Sequence, residues 1–126
     1  MLNTLLKIAL FLSVIFAFSS TSYSQEESYA TVAEVLPQPV GGMSAINKHI
    51  NYPKTAKNAG ISGKVYVLAF INESGSVDNT KIIKSLGGGC DEEVVNAVKS
   101  SKFTPGENNG VRIKTKLIMS FTFKQS

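Results

Sequence analysis

Residues 111–123 read VRIKTKLIMSFTF, and their alternation decides more about the fold than any other stretch. Val111, Ile113, Leu117, Met119, Phe121 and Phe123 share one parity, broken only by Thr115. The opposite parity carries Arg112, Lys114, Lys116, Ser120 and Thr122, with Ile118 the exception. Successive side chains of a strand point to opposite faces, so the pattern predicts one long strand with a buried face and a wet one. Such a strand cannot stand alone. Its main chain needs a neighbour and its apolar face needs a covering layer.

The neighbours are written earlier in the chain. In KVYVLAFI, residues 64–71, Val65, Val67, Ala69 and Ile71 form one face and Tyr66, Leu68 and Phe70 the other. A strand apolar on both sides is expected at the centre of a sheet, covered twice. NESGS, with Gly75, is a turn, and the more polar VDNTKIIKSL after it returns to complete a hairpin. The covering layer comes from helices. Met43, Ile46 and Ile50 recur at helical spacing. Tyr52-Pro53 restarts the chain into a second short helix, stopped by Gly60. A third helix runs from about Asp91 to Lys102. FTPGENNG, residues 103–110, is read as a loop with a type II turn at Pro105-Gly106. The order is helix, helix, strand, strand, helix, strand. This predicts an α+β fold with a three-stranded antiparallel sheet packed on two or three short helices, its core drawn from the odd faces of the first and last strands.

The front of the chain is organised differently. Residues 1–24 have the layout of a secretory signal: Lys7, an apolar run of 11 residues from Ile8 to Phe18, then Ser22 and Ser24 before a cut at Gln25. The run is shorter than the ~20 residues that cross a bilayer. Cleavage and a periplasmic location are therefore expected, with an uncleaved inner-membrane anchor as the alternative. Residues 25–42, with Pro37, Pro39 and Gly41-Gly42, read as an extended lead-in, and residues 43–124 as the domain. Losing Lys7 with the leader lowers the net charge from +4 to +3, too little to argue for nucleic acid. One cysteine allows no internal disulfide, and one His with one Cys offers no metal-ligand set, so neither a metal nor any other cofactor is expected.

SLGGGCDEEVV, residues 85–95, raises two chemical readings. A helix start attracts phosphate, but Asp91, Glu92 and Glu93 already fill the first turn and no Gly-Lys-Ser/Thr follows. Cys90 as a nucleophile needs a thiolate and a base. Adjacent carboxylates oppose the thiolate, and the single imidazole, His49, lies on another element. Cys90, Val94, Ala97 and Val98 instead make one helical stripe, which reads Cys90 as a small buried hydrophobe. The glycines then make a tight turn, and Asp91 or Cys90 takes the helix cap. An exported thiol enzyme using Cys90 stays as the rival reading.

From Pro39 to Phe123 the chain resembles the C-terminal domain of the TonB energy-transducer family. The resemblance rests on Tyr52-Pro53 with Ala56, Gly60, Gly63-x-Val65, Phe70, Gly75-x-Val77, Ala97 and Lys99, Phe103-x-Pro105-Gly106 and the closing alternating strand. It implies a non-catalytic module in TonB-dependent transport across the outer membrane. Such a domain grips an extended peptide at the N-terminus of an outer-membrane receptor, or another envelope protein, which adds as a strand to the edge of the last strand. On this chain the implied peptide-binding residues are Val111, Arg112, Ile113, Lys114, Thr115, Lys116, Leu117 and Ile118. An edge strand presents unpaired N–H and C=O groups, so strand addition suits it. Arg112, Lys114 and Lys116 either attract acidic residues of a guest or guard the edge against aggregation. The same edge also allows pairing between two copies. The resemblance further implies a membrane-anchored transducer, here with a lead-in of ~60 Å at full stretch for 18 residues.

Overall fold

The computed structural model describes residues 28–125, so the leader assigned to residues 1–24 lies outside it. Along the chain the elements run β1 (Gln38–Pro39), α1 (Met43–Asn47), α2 (Lys54–Asn58), β2 (Gly63–Ile71), β3 (Val77–Lys84), α3 (Cys90–Lys99), β4 (Phe103–Thr104), β5 (Gly106–Asn108), β6 (Val111–Ile113) and β7 (Thr115–Phe123). The main sheet is antiparallel with the order β3-β2-β7, so the expected three-stranded α+β architecture is present and β2 is its centre.

Alternation in β2 and β7 builds the core as expected. Val65, Val67, Ala69 and Ile71 from β2 and Met119, Phe121 and Phe123 from β7 are buried on one face. The stripe Cys90, Val94, Ala97 and Val98 of α3 packs onto them, joined by Ile46 of α1, Ala56 of α2 and Phe103. Each buried aliphatic side chain of this size contributes about 1.5–3 kcal/mol. The short helices therefore persist through packing, since five residues are too few to be helical alone. At the end of α2 the Ile61 N–H donates to the Ala56 carbonyl and the Gly60 N–H to Lys57, with Gly60 at φ 70°. This paired bonding closes the helix and aims the chain into β2.

Several expectations need correction. The closing segment is not one strand. It breaks at Lys114, and Val111–Ile113 pairs instead with Gly106–Asn108. The cause is the two-residue turn Asn109-Gly110, where both φ values are positive, at 53° and 74°. That is the chemistry of a tight hairpin, and it draws residues 106–113 away from the main sheet. Val111 is accordingly 63 % exposed rather than part of the core. Gly106 does not have the positive φ that a type II turn at Pro105-Gly106 requires.

The lead-in is paired, not merely extended. Gln38 and Pro39 lie opposite Thr104 and Phe103, Val35 lies opposite Glu107, and Ala30 lies opposite Thr115. The third helix starts at Cys90 and ends at Lys99, because the Ser100 and Ser101 hydroxyls donate back to carbonyls of its last turn. Its cap position is Gly89, not Asp91 or Cys90. The second cover expected for β2 is partial: Phe70 is buried, but Tyr66 and Leu68 are only half-buried.

Gly75 shows why the hairpin turn needs glycine. Its φ is +85°, and an added Cβ would coincide with the Phe103 carbonyl oxygen. That approach lets the Phe103 N–H donate to the Gly75 carbonyl at 2.9 Å, tying the turn to the segment after α3.

Candidate functional site

Strand β7 lies at a border of the sheet, with β2 on one side only. Its register against β2 runs unbroken from Gly63↔Phe123 to Ile71↔Thr115. Antiparallel residues alternate between bonding their neighbour and pointing both main-chain groups the other way. The parity is fixed by Lys116, whose N–H donates outward to the Ala30 carbonyl at 3.0 Å. By the same two-residue period, Ile118, Ser120 and Thr122 point their N–H and C=O groups outward, as does the Lys116 carbonyl. No main-chain partner meets these groups among the described residues. They form a row of donors and acceptors facing solvent.

The opposite border is built differently. Strand β3 meets β2 with register shifts at Tyr66/Val67 and Phe70/Ile71. Bulges twist an edge and interrupt its bonding row, so β3 is defended where β7 is regular.

Beside the C-terminal half of β7 lies a groove of about 400 Å³, walled by Asn47, Ile50 and Tyr52 on one side and residues 120–124 on the other. Tyr52 is fixed there. Its hydroxyl donates to the Ile61 carbonyl, its ring meets Phe123 edge-on at 5.5 Å, and the Lys57 ammonium sits 5.5 Å from its centre. Pro53, directly after it, stands at the cap position of α2, which holds this wall in place.

The eight residues expected to bind a peptide divide into three groups. Val111, Arg112 and Ile113 are committed to the small hairpin with β5. Lys114, Thr115 and Lys116 meet the lead-in: the Ala30 N–H donates to the Lys114 carbonyl at 2.9 Å, and Ala30 lies opposite Thr115. Thr115 is buried, and its Oγ1 has no hydrogen-bond partner among the described residues. Leu117 packs partly against the core, and Ile118 is 60 % exposed. The open row therefore begins at the Lys116 carbonyl and continues to Ser120 and Thr122, which the sequence reading left out. Their shared polar parity with Lys116 was the available signal.

Neither of the other candidates forms a reactive centre. Cys90 is fully buried. Burial pushes its thiol up, reinforced by Asp91, Glu92 and Glu93, so it stays protonated. His49 is exposed on the turn after α1, whereas Cys90 lies in the core. Burial would raise Asp91, but bonds from the Leu86 N–H at 2.9 Å, the Ser85 hydroxyl and the Gly87 N–H outweigh it and hold the carboxyl below its ordinary value. Asp91 thus fastens the glycine turn instead of awaiting a ligand. No cluster of three or more His, Cys, Asp or Glu suited to a metal occurs among the described residues.

The family model described as Gram-negative bacterial TonB protein C-terminal matches residues 48–125. Among solved structures, the TonB C-terminal domain of Helicobacter pylori is 28 % identical with a TM-score of 0.51, covering 64 % of this chain and 86 % of that one. The TonB C-terminal domain of Pseudomonas aeruginosa is 30 % identical with a TM-score of 0.50, covering 60 % and 78 %. No curated relative matches the chain.

Proposed function

The chain belongs to the TonB C-terminal family, associated with TonB-dependent transport, and from that premise we propose that it holds an extended peptide by β-strand addition to β7. The guest is the N-terminal segment of an outer-membrane receptor, and the domain works in the periplasm. The observation that carries this reading is the unshifted nine-pair register of β7 on β2, which leaves Ile118, Ser120 and Thr122 facing outward in one row. A guest strand satisfies that row with main-chain bonds, each contributing about 0.5–1.5 kcal/mol net. Side chains of the guest that point toward the helices enter the groove beside Ile50 and Tyr52.

The proposed site differs from the stretch expected from sequence by moving toward the C-terminus, to the Lys116 carbonyl and residues 118–122. Synthetic N-terminal segments of outer-membrane receptors titrated into the folded protein test it by amide chemical shift. The Ile118, Ser120 and Thr122 amides should move together. If they stay still while a peptide binds elsewhere, the proposal fails. The mass of the native N-terminus tests location: a chain starting at Gln25 supports an exported, released domain, and an intact start supports an anchored one.

A further inference from the structure

The family match begins at residue 48, so residues 28–40 lie ahead of the matched region. They come to the same edge. The Ala30 N–H donates to the Lys114 carbonyl at 2.9 Å and the Ala30 carbonyl accepts from the Lys116 N–H at 3.0 Å. These two bonds take the outward groups that directly precede the open row. Ala30 therefore occupies one parallel rung of the lane in which a guest strand would lie.

Tyr29 holds it there. Its hydroxyl donates to Asp78 Oδ2 at 2.6 Å, its ring meets Phe70 edge-on at 5.1 Å, and the Lys114 ammonium sits 5.6 Å from the ring centre. Past Ala30 the chain leaves the edge. Val32 is 79 % exposed, and the next main-chain pairing is Val35 with Glu107, at 3.0 and 2.9 Å. The contact with β7 is thus a short clip.

We propose that Tyr29–Ala30 is a resident occupant of the docking lane that fixes where a guest strand ends. This rests on the strand-addition reading above. With the clip closed, a guest reaches from Thr122 back to the Lys116 carbonyl and stops. A longer guest gains further bonds only by evicting Ala30. The clip therefore sets both the length and the register of the peptide held, and ties guest binding to the position of the N-terminal segment.

The test uses two synthetic copies of one receptor N-terminal segment, five and nine residues long, with the wild-type chain and two variants, Tyr29→Ala and Ala30→Pro. Ala30→Pro removes the N–H that Lys114 accepts, and Tyr29→Ala leaves the main chain free to fold unchanged. In the wild type both peptides should bind within about two-fold of each other. In the variants the longer peptide should bind about ten-fold tighter, the effect of two additional main-chain bonds at roughly five-fold each after some ordering cost. The Lys116 amide should shift only with the long peptide on a variant. In the free wild type the Lys116 amide should exchange with solvent more slowly than the Ile118 amide, and in the variants the two rates should converge. Edge shifts without any length gain in the variants, or a Lys116 amide as fast as Ile118 in the wild type, overturn the clip alone. Absence of edge shifts in all three proteins overturns the docking reading and takes the clip with it.

Discussion

Proline at position 120 separates an open edge from a paired one. The Ser120 N–H points away from β2, so Ser120→Pro removes no bond of the folded sheet, and proline is tolerated on an edge strand whose N–H faces solvent. Its fixed φ costs something in a strand, and the expected loss relative to Ser120→Ala is about 1 kcal/mol. With a urea slope of ~1–3 kcal/mol/M, that is a midpoint shift of about 0.3–1 M. Met119 lies opposite Val67 on the inward parity, so its N–H belongs to the ladder. Met119→Pro should fall below Met119→Ala by about 3 kcal/mol or more, a large part of the stability of a domain this size. Guest binding should show the reverse order. Ser120→Pro loses one bond to the guest and places a ring against its main chain, weakening the peptide at least ten-fold, or ~1.4 kcal/mol. Paired urea melts and amide titrations read both effects. A Ser120→Pro loss of 3 kcal/mol or more in the free protein would mean that the row is already paired, and the edge argument would be wrong.

Other outcomes follow from single sites. Gly75→Ala combines a left-handed φ with a Cβ on the Phe103 carbonyl, so it should cost about 3 kcal/mol in a urea melt, through strain and loss of the Phe103 bond. Thr115→Val removes a buried hydroxyl that has no partner among the described residues and should stabilise by about 1 kcal/mol, seen as a raised melting temperature. The Cys90 thiol should resist alkylation in the native state and react after unfolding, since burial and three carboxylates keep it protonated; rapid native labelling would contradict this. Asp91 has a depressed folded value, so its contribution is present above the ordinary aspartate value of about 3.9 and is lost as pH falls through the folded one. Asp91→Asn should flatten the stability change between pH 5 and pH 3, and matching slopes would refute that role.

The sheet was readable because period-2 burial persists over β2 and β7, and Val65 through Ile71 and Met119 through Phe123 sit where parity puts them. The break at Lys114 was not, since Val111 and Ile113 keep the same parity through it. The signal lay in Asn109-Gly110, a pair suited to two positive φ angles, and Pro105-Gly106 drew the turn assignment away from it. Lead-in pairing was hidden for another reason. Val35 bonds through main-chain groups to Glu107, and Ala30 to Lys114 and Lys116, far along the chain, and main-chain bonds leave no pattern of residue types. Parity put Ser120 and Thr122 on the wet face with Lys116, while only the neighbouring strands tell which main-chain groups point outward and which are already taken.

The unequal number of rungs on the two sides of β7 has a mechanical meaning. Five of its residues, Thr115, Leu117, Met119, Phe121 and Phe123, turn their main-chain groups to β2, whereas a partner alongside finds three residues facing it, Ile118, Ser120 and Thr122, with one further carbonyl at Lys116. Tension applied along the strand axis loads each set of bonds together in shear, so the smaller set slips first. If a peptide docks there by strand addition, it would let go under tension before the domain tore, and the junction would act as a fuse that protects the host and can be used again.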